Sequence, residues 1–355
     1  MSASAFRVFV SYSHEDKELV GDVVSVLKDN GLMPMYYEGF APGSRFLETI
    51  KTRIAHAHVF MPVITESSSS RGWVHQEIGY AVALNVPVLP LVRGVLPGQM
   101  LGEYTPLELP DSIEAIGSQL SHEVLGKVAK RYRHSRYALY RCADLTEDRA
   151  QMLASYSDDV QSMGFCGCVR QKGGLSSFHI PDEPLTNAVW LDRNGGHDRG
   201  DFHNQCQREE RIALERHARE EGCRIIVKPS IPYEKWGPEA RRVRLQTLIE
   251  FLNSMPDDKA QVAVDETMSV EQSLTMVGNW FAAESVSATI GHGFRQTIFT
   301  RHAPSVESRA ELFDKEFQEL LKAAGWSAET SRAAAITLLN QVIEQIDRAS
   351  AARGT

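Results

Sequence analysis

The chain has 355 residues, room for two domains of ordinary size. Lys plus Arg number 38 and Asp plus Glu 46, and the formal charge of −8 argues against binding a nucleic-acid backbone along the whole chain. With 24% charged and 43% hydrophobic residues the composition is that of an ordinary globular protein, which excludes wholesale disorder.

No apolar run approaches the roughly 18 residues of a membrane helix. The start, MSASAFRVFVSY, lacks the apolar stretch of a signal peptide. Five scattered cysteines make no disulfide framework. A reducing cytoplasm is therefore the expected location, with no membrane partner.

The first third alternates strand and helix signals. Residues 7–11 (RVFVS) form a compact run of β-formers. Residues 17–30 space Leu19, Val20, Val23, Val24 and Leu27 as a helix, which Gly31 stops. A second strand is expected at 32–37, a loop at 38–45 and a helix at 46–57. A third strand at 58–65 leads to a polar loop at 66–72, a helix at 73–85 and a fourth strand at 86–92. Such alternation predicts βαβ units on a parallel sheet, with ligands at the carboxyl ends of the strands. Residues 94–112 read as irregular and 113–131 as a closing helix. The basic stretch 127–141 reads as a solvated helix end and linker.

The expected boundary separates residues 1–133 from 134–350. The second part reads as another α/β or α+β domain with C-terminal helices. Helices are expected at 145–163, 203–221 and 241–253, and extended segments at 223–228, 261–264, 274–286 and 294–300. Two helices with apolar stripes finish the chain, one carrying Phe313 and Phe317, the other Leu339 and Ile343.

Chemistry concentrates in the first third. Trp73 and Glu77 lie four apart and share one helix face, while Val74, Ile78 and Ala81 line the adjacent face. Glu77 is about one turn from the helix start, where the helix dipole favours the ionised carboxylate. From placement alone, Glu77 reads as a solvated first-turn glutamate and Trp73 as core. No GxGxxG follows the first strand, so a dinucleotide redox fold is not indicated.

RVFVSYSHED, PGSRF and SSSSRGWVHQEIGYAVA, in this order and spacing, resemble a TIR domain over residues 5–133. WVHQEIGYA is similar to the catalytic segment of bacterial TIR NADases and of the animal axon-degeneration NAD hydrolase. The resemblance implies a flavodoxin-like parallel sheet, Glu77 as the catalytic residue and Trp73 in the same pocket. It implies nucleotide contacts from Ser11, Tyr12, Ser13 and His14 and a nicotinamide-pocket role for Phe46. Arg45 would meet the diphosphate or a partner subunit. Related enzymes often carry arginines where Ser13 and His14 stand, and a small polar residue where Arg71 stands.

NAD+ would then be a substrate, with no cofactor and no metal. Nicotinamide departs neutral and needs no general acid, and a single carboxylate can stabilise the oxocarbenium-like ribose. The expected function is nicotinamide-releasing NAD+ hydrolysis in prokaryotic defence or cell suicide. The alternatives are a TIR scaffold without catalysis and a TIR cyclase making a cyclic ADP-ribose signal. Such an enzyme needs gating, so the C-terminal domain is expected to bind an unidentified activating ligand or partner and to assemble TIR domains into a homo-oligomer.

Three features of the second part stay secondary. Cys166-Gly-Cys168 has no second pair at metal-site spacing and reads as ordinary thiols. HDRGDFH at 197–203 reads as a solvated loop rather than a ligand set. Arg295, Arg301 and His302 suit either an anion or a salt-bridged edge. SLTMVGNWFAAESV, FRQTIFTRHAP and ELFDKEFQELL together are similar to the closing half of a phospholipase-D-like sensor domain. The catalytic HxK pattern of that superfamily is absent, so a domain of this kind would bind without cutting.

Overall fold

The apolar runs of the first third pair side by side. β1 (Arg7–Ser11), β2 (Met33–Met35), β3 (Val59–Ile64), β4 (Leu91–Val92) and β5 (Leu107–Glu108) form a sheet in the order β2-β1-β3-β4-β5. The neighbours run parallel, with Val8 opposite Pro34, Phe9 opposite Phe60, Val63 opposite Leu91 and Leu91 opposite Leu107. The computed structural model describes residues 6–37, 46–69, 72–94, 101–102, 104–130, 140–143, 145–173, 176–182, 197–230, 237–269, 272–287 and 295–353. It divides into two units, residues 1–139 with 300–307, and residues 140–299 with 308–355.

In the first unit the helices are α1 (Lys17–Asp29), α2 (Phe46–Ala55), α3 (Glu66–Ser69), α4 (Gly72–Ala83) and α5 (His122–Lys130). β1 and β3 are buried along their whole length. A sheet covered on both faces leaves no solvent side for polar residues, hence the continuous apolar runs. Alternation sends Val8 and Val10 to one face and Arg7, Phe9 and Ser11 to the other. On the first face Val8, Val10, Val59, Met61 and Val63 share a core with Val20, Val23 and Leu27 of α1 and Leu125 of α5. On the second, the Phe9 and Phe60 rings stack at 5.9 Å, and α4 packs on β3 and α2.

Local signals end the elements. α1 closes on Gly31 at φ 71°, with the Leu32 N–H donating to the Leu27 carbonyl and the Gly31 N–H to Lys28, the Schellman pattern. The expected strand 86–92 pairs over two residues, with an isolated bridge between Phe60 and Val88. Pro87 and Pro90 have no N–H to extend the ladder. The expected helix 113–131 breaks into a 3-10 turn, Ile113–Ile116, and α5. Between them lie Gly117 and Ser121, whose Oγ accepts the Val124 N–H at 3.4 Å. β5 lies inside the stretch expected to be irregular; two residues carry no periodicity to detect.

At the amino ends of β1 and β3 the first unit buries a charge. The Arg7 guanidinium is 0% exposed and donates from Nε to the His56 carbonyl at 2.6 Å. The Arg7 backbone N–H donates to His58 Nδ1 at 2.9 Å. His58 therefore carries its proton on Nε2, which donates to Glu307 at 2.6 Å. Burial, aided by the Arg7 charge, brings His58 down to about 4, and burial brings Arg7 down to about 9; the Glu307 charge opposes both shifts.

The second unit carries β6 (Tyr140–Ala143), β7 (Val169–Gly173), β8 (Cys223–Val227), β9 (Ala260–Val264), β10 (Gln272–Val277), β11 (Phe281–Ser287) and β12 (Arg295–Thr300). Their order is β6-β12-β11-β10-β7-β8-β9. β7, β8 and β9 run parallel, and β10 is antiparallel to β7 and β11. The expected single extension 274–286 is a hairpin turned at Gly278, φ 53°. A Cβ on Gly167 would lie 2.7 Å from the Gly278 nitrogen, so the segment before β7 and the hairpin turn meet backbone to backbone there.

The helices are α6 (Thr146–Ser162), α7 (His197–Glu221), α8 (Gly237–Ser254), α9 (Ala303–Ala324), whose residues 303–307 count with the first unit, and α10 (Ser331–Arg353). α6 packs on α7, and α10 on α8 and β9. No local pattern in VRQKG announces β7, because its polar side chains have partners on both faces. Arg170 makes two bonds of 2.8 Å to Asp314 of α9, and Lys172 pairs with Glu316. Gln171, on the opposite face, donates to Ser177 at 2.6 Å and Thr275 at 3.3 Å. Glu210 of α7, 1% exposed, takes two bonds from Arg149 at 3.1 and 2.8 Å and one from Ser177. All five cysteines are free thiols. Among the described residues no helix is long and apolar enough to cross a membrane.

Candidate active site

The carboxyl ends of β1 and β2 meet the first turns of α4. Val74, Ile78 and Ala81 are buried and hold α4 against the sheet. Burying a Val or Ile side chain is worth roughly 1.5–3 kcal/mol, enough to fix the rotation of the helix. That rotation turns Trp73 and Glu77 toward the strand ends. Ser11 is the last residue of β1 and lies on the face that α4 covers, and its Oγ donates to Glu77 Oε2 at 2.6 Å. Tyr37, two residues beyond β2, donates its hydroxyl hydrogen to the same Oε2. The Trp73 indole N–H donates to the Tyr37 hydroxyl oxygen at 3.2 Å.

Glu77 is 4% exposed, not the solvated glutamate that its place in the sequence suggests. Its Oε1 is buried and has no hydrogen-bond partner among the described residues. Burial lifts the carboxyl from an ordinary 4.5 to about 7, against the pull of the Ser11 and Tyr37 hydrogen bonds. The helix dipole was expected to keep it ionised; desolvation outweighs the dipole, which near a surface is worth only roughly 0.3–1 kcal/mol. Burial, and the Glu77 charge beside it, push the Tyr37 phenol upward, so it stays protonated and remains a donor.

The other expected residues are placed unevenly. Tyr12 is buried with its ring 5.2 Å from Tyr37. Ser13 is buried and its carbonyl accepts the Asp16 N–H at 2.8 Å, while His14 is exposed at the start of a 3-10 turn. Phe46 opens α2, but its side chain, like all of Arg45 and Arg71, lies outside the described residues. The expected loop 66–72 contains α3. The Thr65 N–H donates to Ser68 Oγ at 2.7 Å and the Ser68 N–H to Thr65 Oγ1 at 3.2 Å, a reciprocal cap. Thr65 and Ser67 also donate to Asp16, at 3.0 and 3.1 Å, tying the loops after β1 and β3 together.

The local sequence pattern does not single out Tyr37. A tyrosine at a strand end has no periodic signature, and the pointer to it was topological: it follows a strand whose carboxyl end borders the site.

In the second unit, HDRGDFH is not a loop but the first two turns of α7. The His197, Asp198 and Asp201 side chains lie outside the described residues, and His203 sits 3.1 Å from Glu147. The described residues hold no group of three or more His, Cys, Asp or Glu arranged to bind a metal ion. Arg301 and His302 belong to the stretch 300–307 of the first unit, and His302 Nδ1 lies 2.8 Å from Ser305 Oγ. The Arg295 side chain lies outside the described residues.

A five-stranded parallel sheet with helices on both faces and a carboxylate at its strand ends defines the α/β class that binds ligands at that edge. Within that class residues 8–120 are a TIR domain, by a match to the family so described. The chain is similar to the TIR domain of the Toll-related receptor TRR-2 from the lower metazoan Hydra magnipapillata. That likeness covers 34% of this chain and 96% of the other, at 18% identity and a TM-score of 0.29. It is also similar to TrmBL2, an archaeal chromatin protein whose structure shows a novel mode of DNA binding. There the cover is 58% of this chain and 62% of the other, at 7% identity and a TM-score of 0.30. No curated protein matches the chain.

Proposed function

We propose that the TIR domain cleaves the N-glycosidic bond of NAD+ and releases nicotinamide, with Glu77 as its catalytic carboxylate. The observation that carries this reading is the buried Oε1 of Glu77, which has no partner among the described residues while Oε2 is held by two donors. Leaving a buried acceptor unsatisfied costs roughly 1–3 kcal/mol, and a domain that only recruits other TIR domains has no use for that cost.

In this reading Oε1 faces the nicotinamide-bearing ribose. As the bond to nicotinamide breaks, its electrons leave with the ring, which departs neutral, and positive charge develops on the ribose. The desolvated carboxylate stabilises that charge more strongly than it would in water. Water then attacks the anomeric carbon and loses a proton, giving ADP-ribose. Attack by a group of the same NAD+ molecule would instead give a cyclic product. The cationic nicotinamide ring of bound NAD+ draws Glu77 toward its ionised form.

Ser11, Tyr12 and Trp73 are proposed to line the substrate, with Ser13, His14, Arg45 and Phe46 as further contacts on the strength of the resemblance. NAD+ is substrate and no cofactor is proposed. The second unit is proposed to gate the activity, through a bound cue or by assembling TIR domains, as suits a cytoplasmic defence effector. The test is to incubate the full-length protein with NAD+ and resolve nicotinamide, ADP-ribose and cyclic ADP-ribose by chromatography. Nicotinamide with ADP-ribose supports hydrolysis and a cyclic product supports the cyclase. NAD+ left intact, even with TIR domains crowded on a scaffold, supports the adaptor.

A further inference from the structure

We infer that Tyr37 is the positioning residue of this site: its hydroxyl, aimed by the Trp73 indole N–H, holds Glu77 through Oε2 so that Oε1 is presented bare to the ribose. The inference rests on the NAD+-cleaving reading above and deepens it.

The polarity of the chain of hydrogen bonds is fixed by chemistry. An indole nitrogen can only donate, so Trp73 Nε1–H must point at the Tyr37 oxygen, 3.2 Å away. A carboxylate can only accept, so the hydrogen of Tyr37 must point at Glu77. Bonds linked head to tail in this way polarise one another and strengthen the last link. Ser11, fixed at the end of β1, supplies the second donor to the same oxygen at 2.6 Å. Both donors thus converge on Oε2.

The Tyr37 ring is itself confined. It lies edge-on to Phe9 at 5.9 Å, tilted against Tyr12 at 5.2 Å and against Trp73 at 6.4 Å. These contacts belong to the ring, not the hydroxyl. Tyr37→Phe therefore removes the donor and leaves the packing in place. A phenol also suits the task because it donates while remaining neutral, where a second carboxylate would repel Glu77.

The test is Tyr37→Phe in the full-length protein, with two readouts. The first is the pH profile of nicotinamide release. The Tyr37 hydrogen bond favours the charged carboxylate, so its loss should move the acid limb upward by about one pH unit or more. Activity should fall about fivefold or more at pH 7 and recover toward wild type above the shifted limb. A merely structural role would lower activity by the same factor at every pH. The second readout is direct titration of Glu77 by carbon-13 NMR of glutamate-labelled protein, which should show the same upward movement without any substrate. Should Tyr37→Phe fold poorly, Ser11→Ala removes the other donor and should move both readouts the same way. An unmoved Glu77 titration in a folded variant overturns the inference. No nicotinamide release by wild type at any pH, with the titration moved as expected, overturns instead the NAD+-cleaving reading and leaves the clamp standing.

Discussion

Glu77→Gln should remove a stability penalty that the wild-type protein carries at alkaline pH. The carboxyl titrates at about 7 in the folded chain and near 4.5 when solvated. A raised folded value means that folding favours the protonated form. The native state is therefore unpenalised below pH 4.5, and the penalty grows until pH 7, where the folded group also ionises. Above that it is constant, at about 1.36 kcal/mol for each tenfold change in proton affinity, or about 3 kcal/mol in all. Glutamine never ionises and escapes the penalty. Any fixed cost of its amide beside Ser11 and Tyr37 is the same at every pH and cancels when two pH values are compared. Urea denaturation of wild type and Glu77→Gln at pH 4 and pH 8 measures the difference. The variant should gain about 3 kcal/mol on wild type between them. A gain indistinguishable from zero would mean that Glu77 is solvated, and the reading of a desolvated, poised carboxylate would fail.

Under the NAD+-cleaving reading the same titration sets the pH dependence: if ionised Glu77 acts, nicotinamide release should rise with pH through an acid limb near 7 and then level off. Flat activity from pH 5 to 9 would contradict it. Glu307→Ala should cost the first unit roughly 2 kcal/mol, because the fully buried His58 Nε2–H and the Arg7 charge lose their acceptor and counter-charge; urea denaturation reads it, and a neutral effect would show the contact to be idle. Arg149→Met should cost the second unit roughly 3–5 kcal/mol by stranding Glu210, and adding Glu210→Leu should return most of it in a double-mutant cycle.

The sequence showed most of what local periodicity encodes. β1 is legible to the residue because a doubly covered strand has no polar interruption, and α1 is legible from its apolar spacing and Gly31. The pairing of Trp73 with Glu77 follows from helix geometry alone. What stayed hidden depends on distant partners. β7 reads as polar until Asp314 and Glu316 arrive from α9, more than 140 residues away. Residues 300–307 complete the first unit from beyond the strands of the second, which no composition shift announces. The burial of Glu77 was masked by its place in a first helical turn, where glutamates are commonly solvated. Tyr37 enters the site because β2 ends beside β1, and strand order is not written in any local pattern.

If Glu77 cleaves NAD+, nicotinamide release from NAD+ by full-length wild type and Glu77→Gln at pH 8 must differ. Glutamine keeps the shape and removes the charge. Release by wild type and loss of at least a hundredfold in the folded variant are expected. Equal release by both would contradict that role for Glu77, because the bond would then be broken without the carboxylate on which the whole site converges.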